Sequence, residues 1–121
     1  MESYVKLLKH RESNTIVVSF KNESDKPFRI GEKMNEIYPE AYMNGYNWNA
    51  FLNYYLKKHC PDTLINMERD PEAGSYAAYY IATDENEKRA EKLVSTIINL
   101  IENESKIYEI LKNEADSIEW D

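Results

Sequence analysis

The sequence predicts an α+β fold: one four-stranded antiparallel sheet, built in the order ββααββαα, with the helices packed on one face. Three observations predict it. Short β-branched and aromatic runs at residues 4–8 and 15–20 flank a polar turn. A second pair of such runs, at 64–69 and 75–82, flanks Asp70-Pro71-Glu72-Ala73-Gly74. Two long segments, 47–60 and 83–101, carry apolar residues at helical spacing.

The elements follow in order. Tyr4-Val5-Lys6-Leu7-Leu8 and Thr15-Ile16-Val17-Val18-Ser19-Phe20 are joined by Arg11-Glu12-Ser13-Asn14, so an antiparallel hairpin is the simplest connection. A polar loop is expected at 21–27, then a short helix over 32–38 with Met34, Ile37 and Tyr38 on one side and Pro39 as its stop. Asn47 is the expected N-cap of the next helix. Trp48, Phe51, Leu52, Tyr55 and Leu56 then fall at i, i+3, i+4, i+7 and i+8. Lys57, Lys58 and His59 suit its C-terminal dipole, and Pro61 ends it. In the second hairpin, Pro71 presets the first corner of the turn, and Gly74 is expected to close it with a positive φ. Thr83-Asp84 can cap a helix whose stripe is Ala90, Leu93, Val94, Ile97, Ile98 and Ile101. Glu102-Asn103-Glu104-Ser105 interrupts it, and Ile107, Ile110 and Leu111 mark a last helix.

At 121 residues the chain fits a single domain, 1–121, able to bury a core without disulfides or metal. Its one cysteine, Cys60, precludes an internal disulfide. The opening residues show no basic stretch followed by an apolar one, and no apolar run approaches membrane-spanning length. A soluble, cytoplasmic protein is expected. The formal net charge of −7 argues against direct binding to nucleic acid or to an anionic membrane.

Catalytic chemistry is sparse. His10 lies among Lys9 and Arg11, as a solvated strand end does. His59-Cys60-Pro61-Asp62 groups imidazole, thiol and carboxylate, but no second ligand cluster accompanies it, so a helix-end structural role is preferred over a metal or nucleophilic site. Phosphate-cradling glycine loops and serine-nucleophile motifs are missing. Glu87, Glu91, Glu102 and Glu109 fall on polar helix faces. No catalytic residue, cofactor or metal is therefore assigned, and the chain is expected not to be an enzyme.

Charge distribution is more informative. Residues 1–60 hold nine Lys and Arg against seven Asp and Glu, a net of +2. Residues 61–121 hold six against fifteen, a net of −9. Such a split either solubilises the surface or offers an acidic face to a basic partner. Ten tyrosines are a heavy load. Tyr76 and Tyr80 share one face of their strand, and Tyr79 and Ile81 the other. Either that strand is buried on both sides, or one face is an interface.

Two motifs then stand out: Met43-Asn44-Gly45-Tyr46-Asn47-Trp48 opening a helix, and Asp70-Pro71-Glu72-Ala73-Gly74-Ser75-Tyr76 leading into a strand. Together, over roughly residues 28–115, they resemble the immunity protein 51 family of bacterial polymorphic toxin systems. The family's pattern looks like Asn-Gly-Tyr-Asp-Trp, so Asn47 stands where aspartate is expected. The resemblance implies a cytoplasmic antidote that binds and neutralises the C-terminal domain of a secreted toxin, often a basic nuclease. Tyr46, Glu72, Tyr79, Glu102 and Glu104 are the candidate partner contacts; Gly45, Gly74 and Trp48 are expected to be structural. An acidic adaptor or nucleic-acid mimic that binds other basic proteins is the alternative function. The aromatic strand could equally serve a homodimer.

Overall fold

The computed structural model describes residues 3–121. Two strands, β1 (Val5–His10) and β2 (Thr15–Phe20), form the first hairpin, in antiparallel register with Val5 opposite Phe20. Its turn is closed by the Asn14 N–H donating to the Arg11 carbonyl, with Asn14 at φ 52°. Asparagine tolerates that left-handed region better than most side chains.

Helix α1 (Asp25–Ile37) begins well before the expected 32–38. Residues 21–27 are therefore not all loop. Ser24 takes extended N-cap backbone, Asp25 puts a carboxylate at the positive end of the dipole, and Pro27 sits in the first turn, where its missing N–H breaks no bond. Helix α2 (Gly45–His59) also starts early. Its cap is Asn44, whose side chain accepts from the Asn47 N–H at 2.9 Å; Asn47 is inside the first turn. The expected apolar face holds: Trp48, Phe51, Leu52, Tyr55 and Leu56 are all buried.

A short 3-10 turn (Pro61–Leu64) follows, and strand β3 is only Glu68–Arg69. The expected arm over 64–69 is therefore mostly not strand. Pro61 favours a helical start, the Thr63 hydroxyl donates to the Cys60 carbonyl, and Asn66 reverses the chain at φ 62°. Strand β4 (Tyr76–Ile81) pairs with both β2 and β3, giving the sheet order β1-β2-β4-β3, antiparallel throughout. Helix α3 (Asp84–Glu102) is capped by Thr83, whose hydroxyl accepts from the Asn86 N–H. It breaks at Asn103, and α4 (Glu104–Glu114) follows.

The register sorts the sheet into two faces. Val5, Leu7 and Lys9 align with Phe20, Val18 and Ile16, and these with Tyr76, Ala78 and Tyr80. Val5, the three β2 residues and the three β4 residues are buried under the helices. Phe20 meets Trp48 edge-on at 5.2 Å between ring centroids, and Trp48 meets Phe51 at 6.1 Å. Truncating an aromatic at this junction costs about 3–5 kcal/mol. The opposite face carries Leu8, Val17 and Tyr79 in one row, with Ile81 beside them, and none of the four belongs to the core cluster. So β4 is not buried on both sides: Tyr76 and Tyr80 are core, Tyr79 is half-buried, and Ile81 is 60% exposed.

Candidate functional site

The two motifs, separated in sequence, meet in space. Helix α2 opens against the β3–β4 loop. The Gly45 N–H donates to the Ala73 carbonyl at 2.9 Å, and the Asn22 side-chain amide donates to the same oxygen at 3.3 Å. Within the loop, the Glu72 N–H donates to the Ser75 carbonyl and the Asp70 N–H to the Ala77 carbonyl, each at 2.8 Å. A Cβ on Gly45 would fall on the carbonyl oxygens of Glu72 and Ser75, so only glycine permits this approach.

Gly74 works differently from the sequence expectation. No described glycine has a positive φ. Instead the Glu23 side chain lies where a Cβ on Gly74 would project.

Asn47 ties a third segment to this corner. It is 3% exposed. Its Nδ2 donates to the Tyr42 carbonyl at 2.8 Å, and its Oδ1 accepts from the Asp121 N–H at 2.6 Å. Residues 115–121 thus return to the start of α2. There the Trp120 ring tilts over Tyr38 at 6.0 Å, its indole N–H donates to the Ala115 carbonyl, and Ile118 is buried. An amide supplies the donor and the acceptor that this position requires, which a carboxylate does not. Around this stapled corner Tyr42 is 69% exposed, Tyr46 is 41% exposed, and the Glu72 and Asp70 side chains are exposed.

The structure thus brings Tyr46 and Glu72 together, and places Tyr79, Glu102 and Glu104 elsewhere. Tyr79 sits on the open sheet face opposite Glu68. Glu102 and Glu104 flank the α3–α4 break and are internally engaged. Glu102 accepts from Lys26 and from the Tyr4 hydroxyl, each at 2.8 Å, and these two partners hold its carboxyl below the usual range. Glu104 pairs with Lys33 at 3.5 Å and accepts from Tyr108 at 3.1 Å. Burial, helped by that bond, pushes the Tyr108 hydroxyl up to about 12.

The same pattern recurs. Glu114 accepts from Lys58 and from Tyr54, its carboxyl lowered by both. Asp116 accepts from Tyr38 at 3.0 Å, which raises the tyrosine. Lys9 pairs with Glu87. Each of these lysines lies in the basic first half and each carboxylate in the acidic second half. Much of the charge split therefore joins the two halves of the chain to each other. Sequence reasoning missed this use of tyrosine and carboxylate: apart from Glu104 and Tyr108, one helical turn apart, the partners lie 56–98 positions apart and give no periodic signal.

The His59-Cys60 pair is a helix end: His59 stacks on Tyr55 at 4.6 Å, and the half-buried Cys60 is the C-cap of α2. Among the described residues no group of three or more His, Cys, Asp and Glu side chains could hold a metal ion, and no helix is long and apolar enough to cross a membrane.

Neither the curated proteins nor the solved structures contain a match to this chain. The family model for immunity protein 51 matches residues 5–116, from the first strand to the segment after α4 and across both motifs. With all but the first four and last five residues inside that match, the chain belongs to the immunity protein 51 family.

Proposed function

We propose that this chain neutralises one cognate toxin domain by binding it directly in the cytoplasm of the producing cell, with the corner around Tyr46 and Glu72 as a principal contact. The observation that carries this reading is the use the fold makes of its two motifs. Gly45, Asn47, Ala73 and Gly74 hold three backbone segments together, and Trp48 fills the core. None of them lines a pocket of convergent catalytic groups. The motifs and the residues beside them leave the side chains of Tyr42, Tyr46, Asp70 and Glu72 exposed. Tyrosines on a braced scaffold bind at low entropic cost, and exposed carboxylates steer a basic partner. A basic toxin, such as a nuclease, fits a chain of net charge −7. Inhibition then follows from covering the toxin's active site or substrate channel with an interface of ordinary size.

The test is co-expression with the toxin domain encoded beside this gene. Growth is rescued by the wild-type chain. Tyr46→Ala combined with Glu72→Lys weakens binding by about 100-fold, as loss of an aromatic anchor and reversal of a nearby charge should. Its thermal midpoint stays within about 2 °C, because neither side chain is part of the staple. Unimpaired toxicity beside a soluble wild-type chain refutes the reading. Full rescue and affinity in the double variant refutes the corner as the contact.

A further inference from the structure

Among the described residues β1 is an edge strand, paired only with β2. Val5 and Phe20 face each other, and the Lys21 N–H donates to the Tyr4 carbonyl at 2.8 Å. In an antiparallel ladder hydrogen-bonded pairs alternate with non-bonded ones. The bonded pairs of β1 and β2 are therefore Lys6–Ser19, Leu8–Val17 and His10–Thr15. The N–H and C=O of Val5, Leu7 and Lys9 point away from β2, toward the free edge.

That edge is flanked by apolar surface on both sides. Leu8, on the open face, is 44% exposed, and Leu7, on the helix side, is half-buried. Beyond β1, a groove of about 400 Å3 runs between the strand and α3, lined by Leu7, Lys9, Glu87, Glu91, Val94 and Ile98. No β2 residue lines it, so it lies along the outer edge. Lys9 is held by Glu87, whereas Glu91 is exposed and forms no ion pair among the described residues.

We infer that the free edge of β1 takes up an extended segment of the toxin domain as a fifth antiparallel or parallel strand, its groove-side residues apolar and basic. This rests on the proposed binding of such a domain. Backbone pairing with Val5, Leu7 and Lys9 supplies affinity, as in other strand additions. Apolar side chains on the added strand cover Leu7, Val94 and Ile98, and a Lys or Arg reaches Glu91. Charge separates this occupant from a second copy of the chain: a single Lys or Arg opposite Glu91 is accommodated, whereas a strand repeating β1's own basic cluster is not. Two β1 edges would bring Lys6, Lys9, His10 and Arg11 of each copy together, the arrangement by which edge strands discourage self-pairing.

Lys9→Pro, measured against Lys9→Ala, tests this. Both lose the ion pair with Glu87. Only proline removes the outward N–H, and it leaves the β1–β2 bonds intact, as edge prolines do. Circular dichroism and thermal unfolding establish that both variants fold alike. Binding to the toxin domain encoded beside the gene is expected to be at least tenfold weaker for Lys9→Pro than for Lys9→Ala. Glu91→Lys is expected to weaken it several-fold. In the wild-type complex, the Leu7 and Lys9 amides become protected from hydrogen exchange. If Lys9→Pro binds within twofold of Lys9→Ala, the edge is not used and the inference falls, while toxin binding stands. A dimer of the wild-type chain by sedimentation, lost in Lys9→Pro alone, overturns the toxin segment as occupant. Failure of the wild-type chain to bind any such domain removes the functional reading and this inference with it.

Discussion

Asn47→Asp is a nearly isosteric change at a buried junction. The amide donates to the Tyr42 carbonyl and accepts from the Asp121 N–H. A carboxylate keeps the second bond and loses the first, leaving an oxygen against the Tyr42 carbonyl. Removing one partner from a buried acceptor costs about 1–3 kcal/mol. The new charge lies in the first turn of α2, where the helix dipole returns about 0.3–1 kcal/mol. The loss is the larger effect, so the variant should be about 1–2 kcal/mol less stable at pH 7. For a domain of this length that lowers the thermal midpoint by about 4–8 °C. The sign of the pH dependence follows from the same geometry. A protonated carboxyl can donate to Tyr42, so the folded pKa rises above the unfolded value of about 3.9. The penalty is then absent below that unfolded value and grows until pH passes the raised folded one. Urea unfolding of both proteins at pH 4 and pH 7 measures it. A variant as stable as the wild type at pH 7, or a gap that widens toward acid, refutes the account of this junction.

The remaining predictions concern the glycines and the carboxylates. Gly45→Ala should destabilise by about 2–3 kcal/mol, because its methyl meets two backbone carbonyls that cannot withdraw without opening the staple. Gly74→Ala should cost less than 1 kcal/mol, because only the movable Glu23 side chain stands in the way; thermal unfolding of the pair checks the order. Glu102 and Glu114 both have depressed carboxyls, held by Lys26 with Tyr4 and by Lys58 with Tyr54. Their stabilisation is present above the unfolded carboxylate pKa and disappears as pH falls through the folded one. Glu114→Gln should therefore flatten the acid limb of the stability profile, seen as a smaller drop in thermal midpoint between pH 6 and pH 3.

How much of this was legible in the sequence depends on range. The stripes of α2 and α3 were readable because helical burial repeats every three or four residues, and nearly every named stripe residue is buried, with Ile98 half-buried. The two hairpins and the alternation in β4 were readable for the same local reason. Boundaries failed where two local signals competed. Asn44 and Asn47 are both good caps, and only the backbone shows which one lies outside the helix. Pro27 reads as a loop residue until it is placed in a first turn. Leu64 and Ile65 resemble a strand, but Pro61 and Asn66 bend the chain before one can pair. The candidate contacts show the limit more sharply. Tyr46 and Glu72 were each chosen for chemistry, and nothing local says that Gly45 and Ala73 bring them together. Glu102 and Glu104 looked like a free acidic face. Their lysine partners, Lys26 and Lys33, and the Tyr4 that bonds Glu102 lie on elements far away in sequence; only Tyr108, one helical turn from Glu104, is local.

The bond between Asn47 and the backbone of residue 121 has a consequence for biosynthesis. Seventy-four positions separate its two ends. At about 5–20 residues per second, a ribosome takes roughly 4–15 s to travel that far. During that interval the start of α2 has been made while the amide that completes its corner has not. The Tyr46 patch thus gains its final brace only after translation has passed the last helix. The corner at the start of α2 is therefore completed seconds after its first residues are joined, when the backbone of Asp121 reaches Asn47.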